Sequence, residues 1–201
     1  MSKETTAALT SPFESLLKTP AWLRGVGIVL AGSAFAAICA HVTLPLFFTP
    51  VPLSLAPLAV LVLGLLLSPR MAAGTFAAYL AEGAAGLPVF SPSPAIGGLA
   101  HLFGPTSFTG GYLLAYPLAA SLISILYRRM GRGYVPAFAA AAVGDILILT
   151  CGALWLAALT HIAVMQATAL AVLPFLAGDA LKIAAAAGIA SGAARLRRRT
   201  A

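Results

Sequence analysis

Between Arg24 and Arg70 lie 45 consecutive residues without an Asp, Glu, Lys or Arg. No aqueous domain carries such a run on its surface, and the whole chain agrees with it: of 201 residues, 61% are hydrophobic and 8% charged, where about 25% charged is usual for a soluble protein. The chain folds in a bilayer. The run is not one helix, because Pro45, Pro50 and Pro52 in LPLFFTPVP remove backbone donors and forbid a continuous ladder. Two spans follow, at residues 22–41 and 53–68. At roughly 20 apolar residues per crossing the length holds about six spans and leaves none for a soluble catalytic domain.

Arg70 opens a third apolar run that ends near Leu87-Pro88, residues 110–127 make a fourth, and 134–160 a fifth. The sixth covers residues 167–196, with Pro174 and Gly178 pointing to a kinked or broken first turn. The expected class is all-α integral membrane with six transmembrane helices. The opening MSKETTAALTSPFESLLKTP lacks the basic start, apolar stretch and cleavage site of a signal peptide. Residues 1–21 read as a cytoplasmic arm, 22–196 as the membrane domain and 197–201 as a basic tail.

With this count, Lys3, Lys18, Arg24, Arg70, Arg128, Arg129, Arg132, Arg195, Arg197, Arg198 and Arg199 all fall on one side, eleven of the twelve basic residues. Both termini are therefore expected in the cytoplasm. Connections 42–52, 88–109 and 161–166 hold no Lys or Arg. The net charge of +7 fits this asymmetry rather than a nucleic-acid surface, and the lipid bilayer is the partner it implies. Connection 88–109 is long, rich in Pro and Gly, and apolar, with Phe90, Ile96, Leu99, Leu102 and Phe103; it reads as a folded outward cap between helices three and four.

Four ionisable residues fall at membrane depth: Glu82, Asp145, Asp179 and Lys182. Such groups are costly there and are candidates for function. Asp179 and Lys182, three apart, share a helix face, where they pair with each other or meet one ligand. Glu82 either faces the same cavity or reaches the outer interface. Asp145 reads as a helix–helix hydrogen-bonding residue. Trp155, Tyr112, Tyr116 and Phe175 are belt aromatics or cavity walls, with Tyr112 beside Gly110-Gly111 the better wall. His41, His101 and His161 lie on three different connections and read as interfacial residues, not a shared metal site. On the first span Gly32, Ala36 and Ala40 recur every four residues, a smooth face for internal packing or for a partner subunit. Cys39 and Cys151 sit in apolar stretches, too few for a disulfide framework or a four-ligand metal site.

No GxxxxGK[ST] loop, GxSxG elbow or HExxH pair occurs, so the chain carries no signature for ATP hydrolysis, serine hydrolysis or metalloprotease chemistry. An intramembrane lipid-acting enzyme is disfavoured, and no resident cofactor is expected.

Four segments carry a resemblance: PVPLSLAPLAVLVLGLLLSPR from Pro50, YLAEGAAGLPVF from Tyr79, GPTSFTGGYLLAYPLAA from Gly104 and VLPFLAGDALK from Val172. In order and content they resemble the BioY family, the biotin-binding substrate components of energy-coupling-factor (ECF) vitamin transporters. The family usually reads GPTGGY unbroken, whereas Ser107-Phe108-Thr109 intervene here. The resemblance implies high-affinity biotin uptake across the cytoplasmic membrane of a bacterium, with biotin as cargo and with a transmembrane coupling subunit and ATPases as partners. It carries ligand contact over to Asp179 and Lys182 and partner docking to Ala36 and Ala40, beside Gly32; Glu82 and Tyr112 lie inside matching motifs. Biotin offers two ureido N–H donors and a carbonyl, an apolar ring and chain, and a carboxylate. A pocket carboxylate can accept the ureido hydrogens, aromatics such as Phe175 and Trp155 can cover the ring, and Lys182 can meet the acid. Which end meets which residue is open, as is another small vitamin as the cargo.

Overall fold

The computed structural model describes residues 20–92 and 97–199, the last three without their side chains. The expectations placed on residues 1–19, on Ile96 and on the side chains of Arg197, Arg198 and Arg199 lie outside these. The described elements are α1 Ala21–His41, β1 Thr43–Leu44, β2 Leu53–Ser54, α2 Ala56–Leu66, α3 Pro69–Ala84, α4 Leu99–Phe103, α5 Gly110–Met130, α6 Tyr134–Thr160, α7 Val164–Ala171 and α8 Leu176–Arg199. Apart from one small hairpin, the regular structure among the described residues is helical.

Among the described residues, α1, α5, α6 and α8 to Leu196 are long and apolar enough to cross a bilayer. The second expected span is shorter than the sequence suggested. Helix α2 has 11 residues, about 16 Å, roughly half of the ~30 Å hydrocarbon thickness. The residues before it are taken by antiparallel pairing of Thr43 with Ser54 and Leu44 with Leu53. Pro57 then falls in the first turn, where its missing N–H costs nothing. So short a helix is held by its surroundings: it packs against α1, α5, α6 and α8, and Ala59, Val60 and Leu61 are fully buried.

The sixth expected span breaks where Pro174 predicts. The N–H groups of Val172 and Leu173 both close onto the Thr168 carbonyl, ending α7, and α8 starts afresh at Leu176. Helices α5 and α6 approach closely through glycines: a Cβ on Gly152 would overlap the Tyr112 ring, and one on Gly111 would overlap Trp155.

The small-residue face of α1 is turned inward. Gly32, Ser33, Ala36, Cys39 and Ala40 are its buried residues, and a Cβ on Gly32 would press on Thr75 of α3. Within the chain this stripe serves internal packing, with Gly32 set against α3. The opposite side of α1, with Trp22, Leu30 and Ile38, is exposed and apolar. Cys39 is buried, Cys151 half-buried, and both are free.

The helix ends sort into two groups. At one end Arg128 donates from Nε to Ser124 Oγ and from Nη2 to the Leu67 carbonyl, each at 3.2 Å, and Arg128 and Arg132 face Ala193 and Ala194 near the end of α8. At the other end lie the hairpin, the 85–109 connection and the α6–α7 corner, tied by Thr49 Oγ1 donating to the Leu170 carbonyl at 2.8 Å.

Candidate functional site: a capped cavity among α2, α5, α6 and α8

The described parts of the 85–109 connection, residues 85–92 and 97–109, form a folded cap. Phe90 is buried, edge-on to Tyr79 at 5.3 Å between ring centroids and 5.0 Å from His101. Tyr79 donates from Oη to the Val89 carbonyl at 3.0 Å. Gly83 makes room for Phe90, since any Cβ there would overlap its ring. The three residues that interrupt the family motif are built into this cap. Ser107 is 3% exposed; its Oγ donates to the His101 carbonyl and lies 3.1 Å from that of Leu102, and its own carbonyl accepts from Trp155 Nε1 at 2.7 Å.

Beneath the cap lies an inner cavity of about 50 Å³, lined by Ser54 of the hairpin, Tyr112 and Tyr116 of α5, Asp145 and Ile148 of α6, and Phe175, Asp179 and Lys182 at the start of α8. Because α7 takes up the first part of the sixth segment, the opening turn of α8 faces the middle of α6. Asp179 and Lys182 form an ion pair, Nζ to Oδ1 2.8 Å, with both side chains buried. An outer cavity of about 280 Å³ is lined by Pro45, Leu46, Thr49, Thr106, Phe108 and Thr109 among others. Pro52, Ser91, His101 and Thr109 line both, so the two adjoin. Together they just pass the lower bound of about 300 Å³ for small-ligand sites.

Of the residues singled out from sequence, Asp179, Lys182, Tyr112 and Phe175 line the inner cavity. Tyr112 serves as a wall, since its hydroxyl already donates to the Ala171 carbonyl at 2.6 Å. Glu82 and Trp155 are not among the described lining residues. Tyr79 and Gly83, a turn apart on α3, are turned to the cap, which leaves Glu82 facing α1, where Ser33 Oγ donates to Glu82 Oε2. Trp155 braces the cap through Ser107 and packs 6.2 Å from Phe103.

Two readings are corrected. Asp145 makes no helix–helix hydrogen bond: it is 4% exposed, lines the cavity, and its Oδ1 has no partner among the described residues. His101 is not interfacial but 6% exposed and part of both cavity walls; burial holds its imidazole below the ordinary value of 6.5 and favours the neutral ring. Only the Gly98–Gly104 bracket in sequence hinted at its cap helix. His41 is exposed, its Nδ1 2.8 Å from the Ala37 carbonyl, and no metal-capable cluster occurs among the described residues.

The described helices form an apolar bundle around a capped cavity floored by an ion pair. The fold superposes on the crystal structure of the S-component for biotin from an ECF-type ABC transporter with a TM-score of 0.76 and 26% identity, over 88% of this chain and 92% of that one. The sequence profile of the BioY family matches residues 7–199, and the chain belongs to the BioY family. Relatives include a probable biotin transporter of Pyrococcus horikoshii, 34% identical over 83% of this chain and 94% of its own length. A biotin transporter of Lactococcus lactis is 33% identical over 80% and 84%, and a probable one of Bacillus subtilis 35% over 73% and 77%. These relatives are archaeal and bacterial.

Proposed function

We propose that this chain is the membrane-embedded, biotin-binding substrate component of an ECF-type transporter, a transporter part and not an enzyme. The observation that carries this reading is the buried Asp179–Lys182 pair in a cavity under a folded cap, within a chain of the BioY family. Asp179 and Lys182 supply polar contacts, and Tyr112 and Phe175 wall the apolar ring. Glu82 and Trp155 act instead on the α1–α3 contact and the cap. Six segments thread the bilayer as residues 22–196, with α2 and α3 as the shorter ones; both termini are cytoplasmic and the cap faces outward. The grouping of Arg128 and Arg132 with the end of α8, opposite the cap, supports that orientation. A transmembrane coupling subunit and ATPases provide the energy that this sequence has no phosphate loop to supply.

The test is uptake of radiolabelled biotin by cells that lack their own biotin transporter and express this chain with coupling subunits. Uptake is expected with the wild-type chain and is lost with Lys182→Ala. Wild-type uptake of a different vitamin in place of biotin would redirect the assignment.

A further inference from the structure

At the end of the bundle opposite the cap, a notch of about 40 Å³ is walled by Leu65 and Leu66 of α2, by Tyr127, Arg128 and Arg132, and by alanines of α8. Tyr127 is 5% exposed, and its hydroxyl has no hydrogen-bond partner among the described residues. A buried hydroxyl left unpaired is expensive, and the notch beside it is where a ligand can satisfy it. Arg128 donates from Nε to Ser124 and from Nη2 to the Leu67 carbonyl, which leaves the Nη1 end of its fork without a described partner. No described carboxylate answers these arginines. Asp145 and Asp179 line the capped cavity, Glu82 accepts from Ser33, and Glu4 and Glu14 lie outside the described residues.

We infer that Tyr127, Arg128 and Arg132 form a binding site for the phosphate of an acidic phospholipid, with the Tyr127 hydroxyl and the guanidinium forks donating to its oxygens. Helices α2 and α5 end here, and Arg128 already offsets the partial negative charge of the α2 end through Leu67. The positive charge of Arg132 is in excess of that need. A water takes up about 10–15 Å³ of such space, so the notch admits a few phosphate oxygens and not a whole lipid. Its walls favour a lipid over a free phosphate. Leu65, Leu66 and the α8 alanines suit the glycerol and first methylenes behind a lipid phosphate, whereas a free phosphate gains nothing from them. Basic pockets between helices at the headgroup level are the usual seat of anionic lipids.

The experiment titrates the detergent-solubilised full chain, wild-type, Tyr127→Phe and Arg132→Gln, with phosphatidylglycerol and with phosphatidylcholine of the same acyl chains, and reads lipid dissociation constants by native mass spectrometry. The wild type is expected to bind one phosphatidylglycerol about tenfold or more tightly than phosphatidylcholine. Each variant loses about tenfold for phosphatidylglycerol and little for phosphatidylcholine, while biotin binds to both as it does to the wild type. Equal affinity of the wild type for the two lipids would overturn the inference. So would wild-type phosphatidylglycerol affinity in folded Tyr127→Phe and Arg132→Gln protein, the mark of a hydroxyl and a guanidinium that meet only water. Displacement of phosphatidylglycerol by an equal concentration of inorganic phosphate would give the site to a soluble phosphate in place of a lipid. If Arg132→Gln leaves the lipid series unchanged but weakens assembly with coupling subunits, the arginines meet an acidic segment of a partner and the lipid site is overturned. If Tyr127→Phe does not fold, Arg132→Gln decides, since Arg132 is exposed. None of these results bears on biotin binding, so the transport reading stands or falls separately.

Discussion

Lys182 holds one carboxylate by an ion pair while a second, Asp145, lines the same cavity. Removing the ammonium therefore leaves two buried acids and no counter-charge. Lys182→Ala is expected to weaken biotin binding by about 2–5 kcal/mol, roughly 30-fold to several thousand-fold, read by equilibrium dialysis. Asp179→Asn with Lys182→Met removes both charges and should recover the melting temperature that Lys182→Ala loses, without recovering affinity. Equal affinity in folded Lys182→Ala would take the residue out of the site. The pair was legible in sequence because its partners are three residues apart on one helix, and Tyr112 because two glycines precede it. Glu82 and Trp155 were not. Their partners, the Ser33 hydroxyl and the Ser107 carbonyl, lie 49 and 48 residues away, and no local spacing encodes such pairs. Asp145 misled for the complementary reason: sequence marks a buried carboxylate but not the lack of a partner.

At the scale of elements, the cap is the part most exposed to solution conditions. Burial holds the imidazole of its His101 below the ordinary value of 6.5. The folded value lies below the free one, so the undocked cap takes up protons more readily; docking is at full strength above about pH 6.5 and weakens as pH falls below it. Release of bound biotin should accordingly be faster at about pH 5.5 than at about pH 7.5, and His101→Gln should remove most of that difference. A pH dependence unchanged in His101→Gln would assign it to another group. Trp155→Phe keeps the ring but drops the donor to the Ser107 carbonyl; the cost should be about 1 kcal/mol, seen as faster ligand release in a protein that still folds. The cap itself was legible in its apolar side chains, and the break before α8 in Pro174. The shortness of α2 was not, because it arises from strand pairing between Thr43–Leu44 and Leu53–Ser54, a contact across a proline-rich loop. Likewise the period of Gly32, Ala36 and Ala40 was plain, but the seat of Gly32 against Thr75 of α3 is nothing that period alone names.

For the whole molecule, the charge asymmetry sets a testable orientation. With Cys39→Ala and Cys151→Ala as background, Leu99→Cys on the cap should react with a membrane-impermeant maleimide in intact cells, whereas Arg132→Cys at the opposite end should react only after permeabilisation. Both positions are exposed, so the converse pattern would reverse the topology. Function rests on the cavity that this fold encloses, and the most direct measurement is binding of radiolabelled biotin to the purified chain alone, with an excess of other vitamins as competitors. Saturable binding at one site per chain, displaced by unlabelled biotin and left unchanged by the other vitamins, is expected. Absence of saturable binding, or displacement by a different vitamin in preference to biotin, would contradict the assignment.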